Sequence, residues 1–361
     1  MKTQKVLLAL SGGVDSSIAA LILKKQGYEV IGAFMKNFSG IINKLTGECN
    51  WIQEKEMAQK IASILNIKFI TLDFEKQYIN QVVNPMFKSY SQGLTPNPDI
   101  ACNTIIKFPL LWKEAQKIKA DYIATGHYAR IKKTKNNTYL LLKGKDKTKD
   151  QSYFLSELTQ KDLSHTLFPI GNLTKTQVRA MAKKHKLPNW NKKGTRGICF
   201  IGKIPMKSFL ERKIKQKKGP VLNPEGKIIG THKGIMFYTI GERVGISKGI
   251  ILEKESNIKH YIADKNKRSN SLIIAPENHP LLKKGKFIIK NLHIINKNYK
   301  IKAEIGVRIR HLGPIMKSKI KKHNKKYLCT LNKAIPGLAE GQYAVLYDKG
   351  IVVASGEISY N

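Results

Sequence analysis

The chain is short of acid. Its 361 residues carry 25 Asp+Glu against 65 Lys+Arg, a formal net charge of +40. That balance excludes a predominantly acidic surface for a cationic partner and favours a polyanion. Arginine is scarce too: 8 of the basic residues are Arg and 57 are Lys, and Ile outnumbers Val by 45 to 12. An A+T-rich genome imposes that composition through codon bias, so part of the charge is solvated surface that needs no ligand. Cysteine is limited to Cys49, Cys102, Cys199 and Cys329. No two have C-x-x-C spacing, which disfavours a structural zinc site. In a reducing cytosol a structural disulfide is disfavoured as well, leaving buried or reactive thiols. No apolar run approaches the ~18–20 residues of a membrane span. The first apolar stretch, residues 6–10, is too short for a signal peptide. The expectation is a cytoplasmic protein with no membrane contact.

What is present is a chain long enough for two to three domains with full cores. Its hydrophobic fraction of 42% is that of a folded protein. Short apolar runs at 6–10, 28–35, 67–72 and 121–125 alternate with helical spacing at 17–25, 51–65 and 105–118. That rhythm predicts a parallel sheet with covering helices. Residues 143–150 read as a charged loop; 151–158 and 175–185 read as helices. After about residue 200 glycines and short β-prone runs take over, at 227–230, 234–240, 259–264 and 271–275. Further runs follow at 287–289, 303–309, 326–331, 343–347 and 351–354. The expected fold class is an α/β N-terminal domain (1–205) with a parallel sheet, a small α+β central domain (206–275) and a C-terminal β-barrel (276–361).

Ala9-Leu10-Ser11-Gly12-Gly13-Val14-Asp15-Ser16-Ser17 joins the first strand to the first helix. Two glycines let backbone approach an anion, and the N–H groups of the helix start cradle it. Ser11, Ser16 and Ser17 add hydroxyl donors; Asp15 can orient the loop or hold Mg²⁺. Neither a Walker A lysine nor a GxGxxG pattern is present. Thr95-Pro96-Asn97-Pro98-Asp99-Ile100-Ala101-Cys102-Asn103 is the next dense segment. Its prolines fix an extended loop, and Asp99 and Cys102 are spaced for one helical face, a proton-transfer group beside a nucleophile. Asn97 or Asp99 can equally cap the following helix. Cys199 lies between glycines near Arg196, a cation that would favour the thiolate, although a Cys between Ile and Phe is more often core.

The S-G-G-x-D-S loop resembles that of ATP-dependent adenylating enzymes. With T-P-N-P-D-x-x-C-N, A-T-G-H-Y-A-R at 124–130, K-D-Q-S-Y-F-L at 149–155, G-I-C-F-I-G at 197–202 and Y-T-I-G at 238–241, all in order, most of the chain resembles the bacterial tRNA-specific 2-thiouridylases (the MnmA/TrmU family). These are PP-loop ATP pyrophosphatases whose N-terminal domain is adenine-nucleotide-hydrolase-like. The resemblance implies a sulfurtransferase that uses MgATP, with no metal held by the protein alone. ATP would meet Ala9, Leu10, Ser11, Gly12, Gly13, Val14, Asp15, Ser16, Met35 and Gly126. Asn97, Pro98 and Asp99 would meet the target base. Lys149, Asp150, Gln151, Arg308 and Ile309 would contact tRNA.

Cys102, Cys199 and Asp99 would be catalytic, with a persulfide on Cys199 and a transient Cys102–Cys199 disulfide as one route. The partners implied are wobble-uridine tRNAs of the Lys, Glu and Gln type and a persulfide relay protein or cysteine desulfurase; the enzyme would be a monomer. Three departures stand out: residues 193–197 lack the family's Asp, Glu242 replaces a Gln after Y-T-I-G, and 336–342 extends a short P-G-Q turn.

Overall fold

The computed structural model describes residues 3–40, 50–192, 194, 206–253, 258–324 and 326–360. Cys49, Arg196, Cys199 and the 197–202 motif lie outside the described residues. The N-terminal domain is built on five parallel strands in the order β3-β2-β1-β4-β7: β1 Lys5–Ala9, β2 Glu29–Lys36, β3 Lys68–Asp73, β4 Tyr122–Ala124 and β7 Thr166–Leu167. β1 is central because Val6, Leu7 and Leu8 are apolar on both faces and fully buried. Helix α1 (Val14–Lys25) follows β1, and Gly27 at φ +85° turns the chain back into β2. Helix α2 (Asn50–Ile64) leads into β3.

The chain runs from β1 to β2 and β3 on one side, then returns to place β4 on the other. The carboxyl ends of β1 and β4 therefore flank a topological switch point, where open α/β sheets bind ligands.

Strand alternation divides the core in two. Val6, Leu8, Val30 and Phe34 face one cluster, made wholly of residues between 6 and 187. Leu7, Ile31, Ala33 and Met35 face a second, which holds Ile100, Cys102 and Ile106 and continues through Phe237 and Ile262 to Tyr347 and Val352. The second cluster thus belongs to the whole chain.

Two more strands, β5 (Ala129–Lys133) and β6 (Tyr139–Lys143), form a hairpin where the sequence carried no strand expectation. β6 leaves the N-terminal domain and pairs with the last strand, Leu141 with Val352 and Leu142 with Ile351. The central region carries a short helix, Met206–Leu210, and five strands: β8 Gly219–Leu222, β9 Ile228–His232, β10 Ile250–Leu252, β11 His260–Asn266 and β12 Ser271–Pro276. The last region is a closed six-stranded antiparallel barrel of β13 (Lys283–Ile294), β14 (Glu304–Arg308), β15 (Met316–His323), β16 (Lys326–Pro336), β17 (Tyr343–Asp348) and β18 (Ile351–Ser359). Closure is by β13 on β18. Phe287, Val307, Cys329 and Leu346 fill it. Burial pushes the Cys329 thiol up to about 12, so it is no nucleophile.

Two expected elements differ. Residues 234–240 form a 3₁₀ turn at Ile235–Phe237 rather than a strand, because Gly234 and Gly241 both take positive φ and the Tyr238 hydroxyl donates to the Lys248 and Gly249 carbonyls. Residues 151–158 are helical only as a 3₁₀ turn at Ser152–Leu155. There the Asp150 carboxylate takes the Gly144 and Ser152 N–H groups, and Tyr153 is drawn to the barrel.

Candidate active site

The loop after β1 starts from a Leu10 N–H bonded to the Ala33 carbonyl of β2 at 2.8 Å. Gly12 takes φ +70°, and a Cβ there would stand 2.4 Å from the Glu54 carbonyl of α2, so only glycine fits. Gly13 is the N-cap of α1 and no side chain caps the helix. By helix geometry the N–H groups of Val14, Asp15 and Ser16 then have no intrahelical acceptor. The serines bind inward instead: Ser16 and Ser17 hydroxyls donate to the Gly13 carbonyl at 2.9 and 3.0 Å, and the Ser11 N–H donates to Ser16 Oγ at 3.2 Å. An uncapped helix start behind a glycine turn fits a polyphosphate.

Gly126 follows β4 and its backbone lies against the same loop, since a Cβ there would stand 2.7 Å from the Ser16 nitrogen. Asp15 is committed within the protein. Lys175 Nζ donates to both its oxygens at 2.7 and 2.8 Å, and the Tyr128 hydroxyl donates to Oδ1 at 2.8 Å. This arrangement orients the loop. Burial, and after it Asp15, push the Tyr128 phenol well above its ordinary range, so it stays a donor. Asn189, 1% exposed, donates to the Gly12 carbonyl and to Ser17 Oγ at 3.0 and 2.9 Å. Sequence reasoning missed Lys175 and Asn189. Each lies 160 residues or more from its partner, and nothing local marks either. Tyr128 was visible within A-T-G-H-Y-A-R but had no stated role.

On the other face of the sheet Asn97 caps a short helix, Pro98–Ala101, with its Oδ1 accepting the Ile100 N–H at 3.2 Å. Asp99, half-buried, occupies the first turn. Cys102 is fully buried and opens a π-helical turn, Cys102–Lys107, that runs into Phe108–Lys117. Such turns are frequent at functional sites. Met35 is 6% exposed and shares its apolar cluster with Ile100 and Cys102. The candidate nucleotide strand and the thiol helix thus meet one core.

Lys149 is exposed and Gln151 half-buried. Gln151 braces Tyr128, whose N–H donates to its side chain and whose carbonyl accepts its N–H, both at 2.9 Å. Asp150 and Arg308 are 2% and 9% exposed at their side chains and pair at 2.8 Å. Ile309 is buried, and its carbonyl accepts the Tyr153 hydroxyl at 3.3 Å. These three tie the N-terminal domain to the barrel, a role the motif reading did not foresee. In this conformation the Asp150 and Arg308 side chains are buried within the chain rather than offered to solvent, and Arg308 Nε is left without a hydrogen-bond partner.

Family models match nearly the whole chain: a tRNA methyl transferase HUP domain over residues 4–203, a tRNA methyl transferase PRC-barrel domain over 207–276 and an aminomethyltransferase β-barrel domain over 284–358. The tRNA-specific 2-thiouridylase MnmA 1 of Geobacillus kaustophilus is 39% identical, over 99% of this chain and 96% of its own. The tRNA-specific 2-thiouridylase MnmA of Buchnera aphidicola is 42% identical, over 99% and 97%. The chain belongs to the tRNA-specific 2-thiouridylase family. Members align from end to end, so the nucleotide loop, the thiol helix and the barrel all fall within the family's span. Among solved structures a 4-thiouridine synthetase–RNA complex with bound ATP is 15% identical at a TM-score of 0.36, covering 58% of this chain and 50% of that one.

Proposed function

We propose that the protein converts the wobble uridine of tRNA to 2-thiouridine at the cost of ATP. The observation that carries this is the placement, on one sheet, of an uncapped phosphate-type loop at the switch point and of the buried Cys102 helix beside it. The methyl transferase description of two family models fits this less well, because methyl transfer calls for no polyphosphate cradle.

In this reading Ala9, Leu10, Ser11, Gly12, Gly13, Val14, Asp15 and Ser16, with Met35 and Gly126, hold ATP, and Mg²⁺ enters with it. Asn97, Pro98 and Asp99 receive the base flipped out of the anticodon loop, where unstacking is cheap. Uridine O2 attacks the α-phosphate and pyrophosphate leaves. Cys199 carries a persulfide from a relay protein or desulfurase. In one route Cys102 attacks Sγ of that persulfide, closing the Cys102–Cys199 disulfide and expelling hydrosulfide, which attacks C2 as AMP departs. In the other the terminal sulfur attacks C2 as AMP departs, and Cys102 then attacks Cys199 Sγ, freeing the thiolated uridine and closing the same disulfide. Reductant then restores both thiols. Asp99 handles the protons. Lys149 and Gln151 meet tRNA, with Asp150, Arg308 and Ile309 holding that stretch from beneath. The division near residues 205 and 275, the monomeric state and the cytoplasmic setting belong to the same proposal. Among the described residues no helix is long and apolar enough to cross a membrane.

Purified protein with ATP, Mg²⁺, a persulfide donor and a wobble-uridine tRNA should yield thiolated uridine. Cys102→Ser and Cys199→Ser should each lower the rate by roughly a thousandfold or more. Thiolation retained in both variants would sink the mechanism, and wild-type binding of tRNA without thiolation would sink the enzyme.

A further inference from the structure

The backbone that leads into the target-base loop is held by two other parts of the chain. The Thr95 N–H donates to the Glu340 carbonyl, in the connection between β16 and β17 of the barrel, at 2.8 Å. Lys265, on β11 of the central region, donates from Nζ to the Gly93 carbonyl at 3.2 Å. The two holds are tied to each other. Lys267 pairs with the Glu340 carboxylate at 3.4 Å. Gly241 at φ +82° lies so close to Gly337 at φ +76° that a Cβ on Gly241 would stand 2.6 Å from its Cα. Gly341, at φ +86°, faces Thr95, and a Cβ there would stand 3.2 Å from the Thr95 backbone. Between these groups is a cavity of about 30 Å³ lined by Gly93, Thr95, Ile240, Lys265, Glu340 and Tyr360.

Glu242 and the 336–342 stretch, both read from the sequence as departures from the family pattern, converge here. Glu340 lies in that stretch, and its side chain also accepts the Tyr360 N–H at 3.1 Å. Glu242 and Glu340 both act to keep Lys265 charged, against a burial that pushes its ammonium down to about 8. The N–H groups of Gln92, Gly93 and Leu94 are tied back to the preceding helix, and Asn97 caps the next one; between these local ties the Thr95 N–H is held from the barrel. A cation from the central region and a carbonyl from the barrel therefore fix where residues 95–99, and after them Cys102, stand.

We infer that Lys265 and Glu340 are positioning residues for the target-base loop, setting the three parts of the chain against one another at Thr95. The inference rests on the reading of residues 95–99 as that loop. The junction touches neither the nucleotide loop nor Asp15, so its loss should act on one half of the reaction and leave the other intact.

The test is Lys265→Met in the full chain, with two readouts. In tRNA-free, freshly reduced protein, alkylation of Cys102 by iodoacetamide, followed on the Cys102 peptide by mass spectrometry, should accelerate at least about fivefold. Alkylation of Cys329, buried in the barrel core, should stay within about twofold of wild type. At saturating tRNA and ATP the thiolation kcat should fall at least about tenfold with KM for ATP unchanged, and Lys265→Arg should recover most of it. Unchanged Cys102 alkylation overturns the inference. So does a parallel rise at Cys329, which would mean general loosening. Should Lys265→Met not fold, Gly341→Ala presses directly on the Thr95 backbone and must give the same selective rise at Cys102. The alkylation readout needs neither tRNA nor ATP, so it stands even if the wild-type protein thiolates nothing.

Discussion

The nucleotide loop and the thiol loop sit on one sheet and are held in opposite ways. The nucleotide loop is secured from within its own domain: Gly126 presses on it, Lys175 and Tyr128 fix Asp15, and Asn189 holds Gly12 and Ser17. The helix behind it packs into a core made only of residues between 6 and 187. The thiol loop borrows its supports. Its approach is bonded to Glu340 and Lys265, and its core runs on into the central region and the barrel. Nucleotide handling should then be indifferent to the barrel, whereas the base and thiol side should depend on it.

The hardest blow to the comparison is to cut the seam. Arg308→Met leaves the Asp150 carboxylate buried beside Tyr347 without its guanidinium. Breaking such a pair costs about 3–5 kcal/mol, while removing both charges costs less. Denaturant unfolding without tRNA should show that loss in Arg308→Met and partial recovery in the Asp150→Asn/Arg308→Met double variant. ATP affinity of the folded protein should stay within about twofold. A loss of ATP affinity matching the loss of stability would mean the two loops are not independently held.

A milder cut falls on the other side. In Gly126→Ala the new methyl meets the Ser16 nitrogen at 2.7 Å and the loop must move. Overpacking of this kind costs about 1–3 kcal/mol, or roughly 5- to 100-fold in ATP affinity. Titration with ATP checks it, and Cys102 alkylation should not change. A rise there would show that the loops communicate through the sheet.

Much of this was legible before any coordinate. The run 6–10 is apolar without alternation because β1 is buried on both faces, and S-G-G-V-D-S marks a junction where helix N–H groups stay open. The seam was not legible. Asp150 and Arg308 each stand in a motif that reads as a nucleic-acid contact, and nothing in a basic, solvated-looking strand says that its arginine turns inward to a carboxylate 158 residues away. The β5–β6 hairpin was lost for a related reason. Its lysines, at 132, 133 and 143, hide a strand pair that makes sense only once β18 arrives to cover Leu141. Lys175 and Asn189 carry no local signal because a lysine at a helix start and an asparagine after a proline are ordinary until the loop they hold is in place.

Acid is the gentlest probe, and it too separates the regions. Burial pushes the imidazoles of His165 and His311 down to about 4, from about 6.5 in an unfolded chain. Around His311, Asp150 works against that shift while Arg308 and Lys149 add to it. Its ring stacks on Phe154 at 4.2 Å, at the seam; His165 stacks on Trp112 at 3.8 Å, at the far edge of the sheet. Between the two pKa values the unfolded chain takes up a proton that the folded chain refuses. Stability that is fully present above about pH 6.5 is therefore lost as the pH falls toward 4. From pH 7 to pH 5 the loss is about 2 kcal/mol for each histidine at most. Urea unfolding at the two pH values should show it. His311→Gln, which cannot be protonated, should remove about half of the part due to this pair while leaving the His165 share. If His311→Gln loses as much stability between pH 7 and pH 5 as the wild type, acid does not act at the seam, and the contrast between a self-contained nucleotide side and a borrowed thiol side would have to rest on the ion pair and the Thr95 junction alone.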